Sequence, residues 1–330
     1  MMDLPAIDVC LIKSAAAILR QGGIGAFPTE TVYGLGARVF DADAVSRIFA
    51  VKGRPFDNPL IVHIAEREQL RLLSPAIPAL ADDLIKIFWP GPLTLVLQRL
   101  DAVPAIVSAG LSTIAVRMPN HPMALELIRE LGEPIAAPSA NRSGRPSPTS
   151  ARAVREALEG SVDFILDGGP CEVGLESTVL DMTSSPPRVL RPGAISLESL
   201  RSVIGAVTAY SEAYRAVSSP GQKQGHYAPA LKMVIVDPDQ WQTILEEAPH
   251  CGKRLGTISL QKGQNASLSY CRVMADLSDY ARNLFAAFFD AEAAGVEVLF
   301  AERVAKEGLG AAIMDRLERA AASAVIKNDI

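Results

Sequence analysis

The stretch Pro134-Ile135-Ala136-Ala137-Pro138-Ser139-Ala140-Asn141 reads as a short apolar strand that delivers a polar cluster. Pro138 fixes its own φ just before Ser139. In extended chain, residues i and i+2 share a face, so Ser139 and Asn141 are expected to point the same way. A second cluster, Lys52-Gly53-Arg54-Pro55, follows a segment with helical patterning. Pro55 steers Arg54 out of the helical region, so Lys52 and Arg54 are also expected to share one face of extended chain. Two cations facing a hydroxyl and an amide suit a ligand that carries several phosphates.

Working outward, residues 9–21 predict a helix capped by Asp8 and ended by Gly22-Gly23. Residues 24–27 read as a strand and 28–36 as a loop. A helix starts after Asp41 and stops at Gly53. Residues 60–65 and 93–99 read as strands, with helical segments near 66–73 and 78–87 between them. Strands at 114–118 and 134–137 flank a helix at 122–131. A helix at 150–158 precedes strands at 164–167, 178–181 and 188–191. Strands and helices that mix without strict alternation predict an open, twisted mixed sheet. Residues 1–205 are therefore expected to form one α/β domain. From 206 to 231 the apolar periodicity fades and Ser, Gly, Gln and Pro accumulate, which is linker composition. Beyond it, strands at 232–236, 254–259 and 296–300 alternate with helices at 239–247, 277–294 and 309–322. That alternation predicts a smaller, Rossmann-like parallel α/β domain over 232–330.

The 330 residues suffice for two domains, and 49% hydrophobic with 21% charged is ordinary globular composition. No run approaches about 18 apolar residues, so no membrane span is expected. The N-terminus lacks the pattern of a signal peptide. The four cysteines are scattered with no Cys-x-x-Cys pair; disulfides and protein-bound zinc are not expected, and a reducing cytoplasm is. A net charge of −5 does not advertise a nucleic-acid surface.

Gly169-Pro170-Cys171-Glu172-Val173-Gly174 has P-loop spacing, but Leu175-Glu176 stands where Lys and Ser/Thr would reach phosphate and magnesium. A nucleotide site must instead use dispersed side chains. Lys52, Arg54, Arg117 and Arg191 each lie beside an element end flanked by proline or glycine, and are expected to converge on one rim of the sheet. Thr29, Glu30, Thr31 and Tyr33 share a loop that could hold a small zwitterion, the carboxylate taking its ammonium and Arg117 its carboxyl. The same residues also read as a turn whose threonines satisfy backbone. His63, inside an apolar run, and Ser177, where a glycine loop becomes a strand, have both ligand-binding and purely packing readings. No nucleophile–base pattern stands out, which favours direct displacement on a phosphoryl group.

At this point residues 8 to about 205 resemble the YrdC-like domain, and the whole chain resembles the long, two-domain Sua5 form of the threonylcarbamoyl-AMP synthase family. The resemblance rests on Pro28-Thr29-Glu30-Thr31-Val32-Tyr33-Gly34-Leu35, Lys52-Gly53-Arg54-Pro55, Asn58-Pro59-Leu60, Trp89-Pro90-Gly91-Pro92-Leu93-Thr94, Val116-Arg117-Met118-Pro119, the 137–144 segment, Glu176-Ser177-Thr178 and Leu190-Arg191-Pro192-Gly193. Ser219-Pro220-Gly221 with His226-Tyr227-Ala228-Pro229 resembles the family's hinge; Gln222-Lys223-Gln224-Gly225 departs from it where many relatives carry an aromatic and an arginine. The resemblance implies condensation of L-threonine, bicarbonate and ATP to threonylcarbamoyl-AMP with release of pyrophosphate, the first step of N6-threonylcarbamoylation of tRNA. It implies Lys52, Arg54, Asn58, Thr113, Ser139, Ser147, Arg191 and Tyr227 around ATP, and Thr31, His63, Arg117, Ala137 and Ser177 around threonine. Lys52, Arg54, Ser139 and Asn141 would form the catalytic cluster. Magnesium would arrive with ATP, with no organic cofactor. The product would pass to downstream tRNA threonylcarbamoyl transferase proteins, with no stable tRNA binding required. The linker is expected to fold over the nucleotide, bring Tyr227 against ATP and let the C-terminal domain act as a lid.

Two other classes compete. An RNA- or ribosome-binding protein generally needs exposed aromatics for base stacking, and aromatics are only 5% here. The YrdC-like carbamoyl-transfer proteins of hydrogenase maturation add an acylphosphatase-like module and zinc-finger cysteines that this sequence lacks.

Overall fold

The computed structural model describes residues 8–211, 227–247, 252–260 and 268–326. The first unit runs α1 (Val9–Arg20), β1 (Gly25–Phe27), β2 (Gly34–Arg38), α2 (Ala42–Lys52), β3 (Ile61–His63), α3 (Ala79–Phe88), β4 (Leu93–Gln98) and β5 (Thr113–Arg117). It continues with α4 (Pro122–Leu131), β6 (Ile135–Ala137), α5 (Ala151–Leu158), β7 (Phe164–Ile165), β8 (Thr178–Asp181), β9 (Arg188–Arg191) and α6 (Leu197–Ile204). Among the described residues its strands form one mixed sheet in the order β7-β1-β2-β6-β3-β5-β4-β8-β9. Sequence-local caps set the helices: Asp8 accepts from the amides of Cys10 and Leu11, and Asp41 from that of Ala44.

The two faces of this sheet have different fates. Val62, Val116 and Ala136 point into the large core with Ile48, Phe49 and Leu84. Their alternating neighbours face the other way, where α1 and α4 cover Phe27, Ile135 and Ala137. The rest of that second face carries only a small cluster, Ile61, Val96, Ala115, Val179 and Leu190. Of that thinly covered patch, Ile61 reaches the lining of the candidate site.

The second unit contains β10 (Lys232–Val236), α7 (Trp241–Glu247), β11 (Leu255–Ser259), β12 (Tyr270–Val273), α8 (Leu277–Ala293), β13 (Val298–Glu302) and α9 (Leu309–Ile326). Its sheet, in the order β10-β13-β11-β12, is parallel throughout, as the alternation predicts. Phe285, Phe288, Ile313 and Leu317 of α8 and α9 pack in its core.

Several local expectations are corrected. The 28–36 loop is shorter than expected, because Gly34–Arg38 is a strand hairpinned to β1. Two glycines hide it, and the Phe27 ring fills the space where their side chains would be. β12 and α6 were not foreseen at all. The strand expected at 296–300 runs two residues later, because the amides of Gly295 and Val296 still bond to the end of α8. Lys52 and Arg54 are not in extended chain: Lys52 ends α2, and Gly53, at φ 60°, is its left-handed C-cap.

Candidate functional site

Strand pairing assembles the site. His63 and Arg117 are register partners across parallel β3 and β5, while Ile61 pairs with Ala137 across antiparallel β3 and β6. An isolated bridge then joins Ser139 to Gly34, just beyond Thr31 and Tyr33. Because β3 and β6 are three residues long, both sheet edges reach one pocket. The expectation of a single rim is corrected accordingly. Arg117 and Arg191 end strands at one edge, whereas Lys52 joins Ser139 and Asn141 beyond the end of β6, at the other.

The five residues expected around threonine, Thr31, His63, Arg117, Ala137 and Ser177, line one cavity, with about 50 Å³ open to water-sized molecules. Arg117 does not stand free in it. Its Nη2 donates to Glu30 Oε2 at 2.5 Å and its Nη1 to the Thr31 hydroxyl at 2.7 Å, and the side chains of Arg117 and Glu30 are each only 4% exposed. Arg117 Nε, the second oxygen of Glu30 and His63 Nδ1 are buried without a hydrogen-bond partner among the described residues. Native interiors rarely leave such atoms unsatisfied. Burial, helped by the Arg117 charge, lowers the His63 pKa to about 3, so the imidazole is neutral at physiological pH. The turn reading of the threonines also holds in part: the Thr29 hydroxyl bonds the Val32 carbonyl at 2.6 Å.

Four of the residues expected around ATP, Arg54, Ser139, Arg191 and Tyr227, line the same cavity. Burial lowers the pKa of Arg54 to about 9 and depresses those of Lys52 and Arg191. A buried cationic cluster of this kind suits a polyanion. Lys52 Nζ contacts the carbonyls of Ser139 and Asn141 and the Asn141 side-chain oxygen. In this structure it therefore clamps the 139–141 loop. Arg54 donates to the carbonyls of Asn58 at 3.0 Å and Pro59 at 2.8 Å, so the Asn58 backbone acts on the site through Arg54. Ser139 donates to Asn141 Oδ1 at 2.5 Å, and Arg191 Nη2 to the Ser177 hydroxyl at 3.1 Å. Thr113 is outside the cavity lining; it starts β5 on the Ser139 edge, two strands from β6.

Sequence reasoning missed Glu176 as a site residue. It lines the cavity, accepts from the Ser147 hydroxyl and pairs with Arg316 of α9 at 2.9 Å. Burial would raise its pKa, but Arg316 and Arg191 hold it below the usual carboxylate range. Its place in Glu176-Ser177-Thr178 was the available signal; nothing marked Arg316. Of the hinge motif, Tyr227 to Pro229 are described, and Tyr227 is 2% exposed at a φ of 70°. Ser219 to His226, the part of the linker expected to fold over the nucleotide, lie outside the described residues, as does Cys251. Among the described residues, Cys10, Cys171 and Cys271 form no disulfide. Among the described residues, no helix is long and apolar enough to cross a membrane.

The family described as Telomere recombination, which joins Sua5, YciO and YrdC, matches residues 17–193, and the threonylcarbamoyl-AMP synthase C-terminal domain matches 195–322. The threonylcarbamoyl-AMP synthase of Pyrococcus abyssi is 46% identical over 97% of both chains. That of Bacillus subtilis is 45% identical over 96% of this chain and 94% of its own. A crystal structure of P. abyssi Sua5 complexed with L-threonine superposes with a TM-score of 0.91 at 44% identity, covering 97% of this chain and 96% of that one. Kinship over the full length, both matched domains and a shared fold agree that the chain belongs to the threonylcarbamoyl-AMP synthase family, in its two-domain Sua5 form.

Proposed function

We propose that the cavity condenses L-threonine, bicarbonate and ATP to threonylcarbamoyl-AMP, and so performs nucleotidyl transfer. The observation that carries this is the pair of unpartnered polar atoms, on Arg117 and His63, that belong to residues lining one small pocket beside a buried cationic cluster, with a third on Glu30, the ion-pair partner of Arg117. Arg117 Nε and the Thr31 hydroxyl would take the threonine carboxylate, and the open oxygen of Glu30 its ammonium. The ammonium first gives up one proton to solvent; the free amine then adds to the bicarbonate carbon with loss of one water, which leaves a carbamate. A carbamate oxygen then attacks the α-phosphorus of ATP, and the bond to pyrophosphate breaks. Arg54, Arg191 and Lys52, once released from its loop, would stabilise the charge on the transferring phosphoryl group.

Magnesium enters as part of the nucleotide substrate. Among the described residues, the only acidic side chain lining the cavity, Glu176, is already held by Ser147 and Arg316, so the ion would ride on the phosphates and their water. We place the reaction in the cytoplasm, supplying tRNA threonylcarbamoyl transferase proteins without a stable tRNA complex here. The test is incubation with threonine, ATP and ¹³C-bicarbonate, followed by mass spectrometry. The label should appear in a threonine adduct of AMP, whereas unlabelled AMP as the sole nucleotide product would exclude the condensation. In the same assay threonine amide should be a far poorer substrate than threonine; equal use of the amide would remove Arg117 from carboxylate binding.

A further inference from the structure

Arg316 lies on α9 of the second unit and is wholly buried. A guanidinium taken out of water is tolerated only where partners surround it. Two of its partners, Glu176 and the Pro192 carbonyl, belong to or adjoin the candidate site, whereas Nη2 is buried without a hydrogen-bond partner among the described residues. Nε donates to Glu176 Oε2 at 2.9 Å, and Nη1 donates to the Pro192 carbonyl at 3.0 Å and to Asp315 at 2.7 Å. The guanidinium carbon stands 5.3 Å from the centre of the Tyr227 ring, a cation–π distance. Asp315 is in turn held by Arg319 at 2.9 Å. Glu176 and Tyr227 both line the cavity, and Pro192 follows Arg191. Arg316 itself does not line it.

We propose that Arg316 is a positioning residue for the nucleotide half of the reaction: through it, α9 fixes Glu176 and Tyr227 and neutralises the carboxylate that would otherwise confront the triphosphate. This rests on the proposed function of the cavity. Without Arg316, Glu176 keeps only the Ser147 hydroxyl and the field of Arg191, and a poorly compensated buried anion stands beside an incoming polyanion. ATP should feel that loss, while the Arg117–Glu30 set keeps its own partners.

The experiment compares wild type, Arg316→Met, Arg316→Lys and the double variant Arg316→Met/Glu176→Gln. It reads KM for ATP and for threonine, and affinity for a non-hydrolysable ATP analogue by calorimetry. Arg316→Met should weaken nucleotide binding roughly 10- to 100-fold, with KM for threonine nearly unchanged. The double variant, which removes both charges, should recover at least about tenfold of that loss, and Arg316→Lys should fall between. Unchanged nucleotide affinity in a folded Arg316→Met protein overturns the proposal. Equal losses for both substrates with no recovery in the double variant also overturn it. So does a double variant that fails to fold beside a fully active Arg316→Lys, which would make Arg316 a stability residue. Wild type in the same assay separates the two failures: its inactivity would condemn the proposed function, whereas an active wild type beside an unaffected Arg316→Met condemns only the role of Arg316.

Discussion

At the scale of the residue, His63 gives the sharpest consequence of burial. Its pKa falls to about 3 in the folded chain, from about 6.5 unfolded. A depressed value means that the stability it contributes is intact above pH 6.5 and is lost as pH falls toward 3. At pH 5 the penalty is about 2 kcal/mol, from 1.5 pH units at 1.36 kcal/mol each. Urea unfolding at pH 7 and pH 5 should therefore show a smaller acid loss in His63→Gln than in wild type, by that amount. Equal losses would mean that the imidazole is not buried neutral. The threonine-side residues were legible because each is carried by a short motif that the pairing of β3, β5 and β6 then brings together. The partners that tune them were not: Glu30 meets Arg117 across 87 positions and Glu176 meets Arg316 across 140. No local pattern encodes such pairings.

At the scale of the element, long periodic segments and buried strands were readable, and glycine misled in both directions. In β2 it disguised a strand as a loop. At Gly53 it made the end of a helix look like extended chain, because proline at 55 was weighed and the left-handed cap was not. The 169–174 segment, excluded as a Walker loop, has a packing role instead. Gly174, at φ 76°, lets α8 approach so closely that a β-carbon there would lie 2.3 Å from the Arg282 carbonyl oxygen. Arg282 in turn donates to the Glu172 carbonyl at 2.9 Å. Gly174→Ala should cost about 1–3 kcal/mol for its backbone conformation alone, and more if α8 is pushed away. A chemical-denaturation midpoint unchanged from wild type would show that this contact is loose.

At the scale of the whole molecule, the sequence divides the chain near 205, but the first core reaches further. Val207 is buried in that core, and Thr208 pairs with Arg188 of β9. A protein ending at 211 should therefore unfold at higher denaturant than one ending at 205, by about 1–3 kcal/mol for one buried valine and its bridge. Identical midpoints would place the boundary where the sequence put it. Both truncations lose Arg316 and Tyr227, so both should retain threonine binding better than nucleotide turnover.

The central claim is that one cavity joins three substrates, and omitting them singly tests it most directly. Pyrophosphate release from ATP by the full chain should require threonine and bicarbonate together, fall to background without either, and be indifferent to added tRNA. Release that proceeds without bicarbonate, or that begins only when RNA is supplied, would contradict the account.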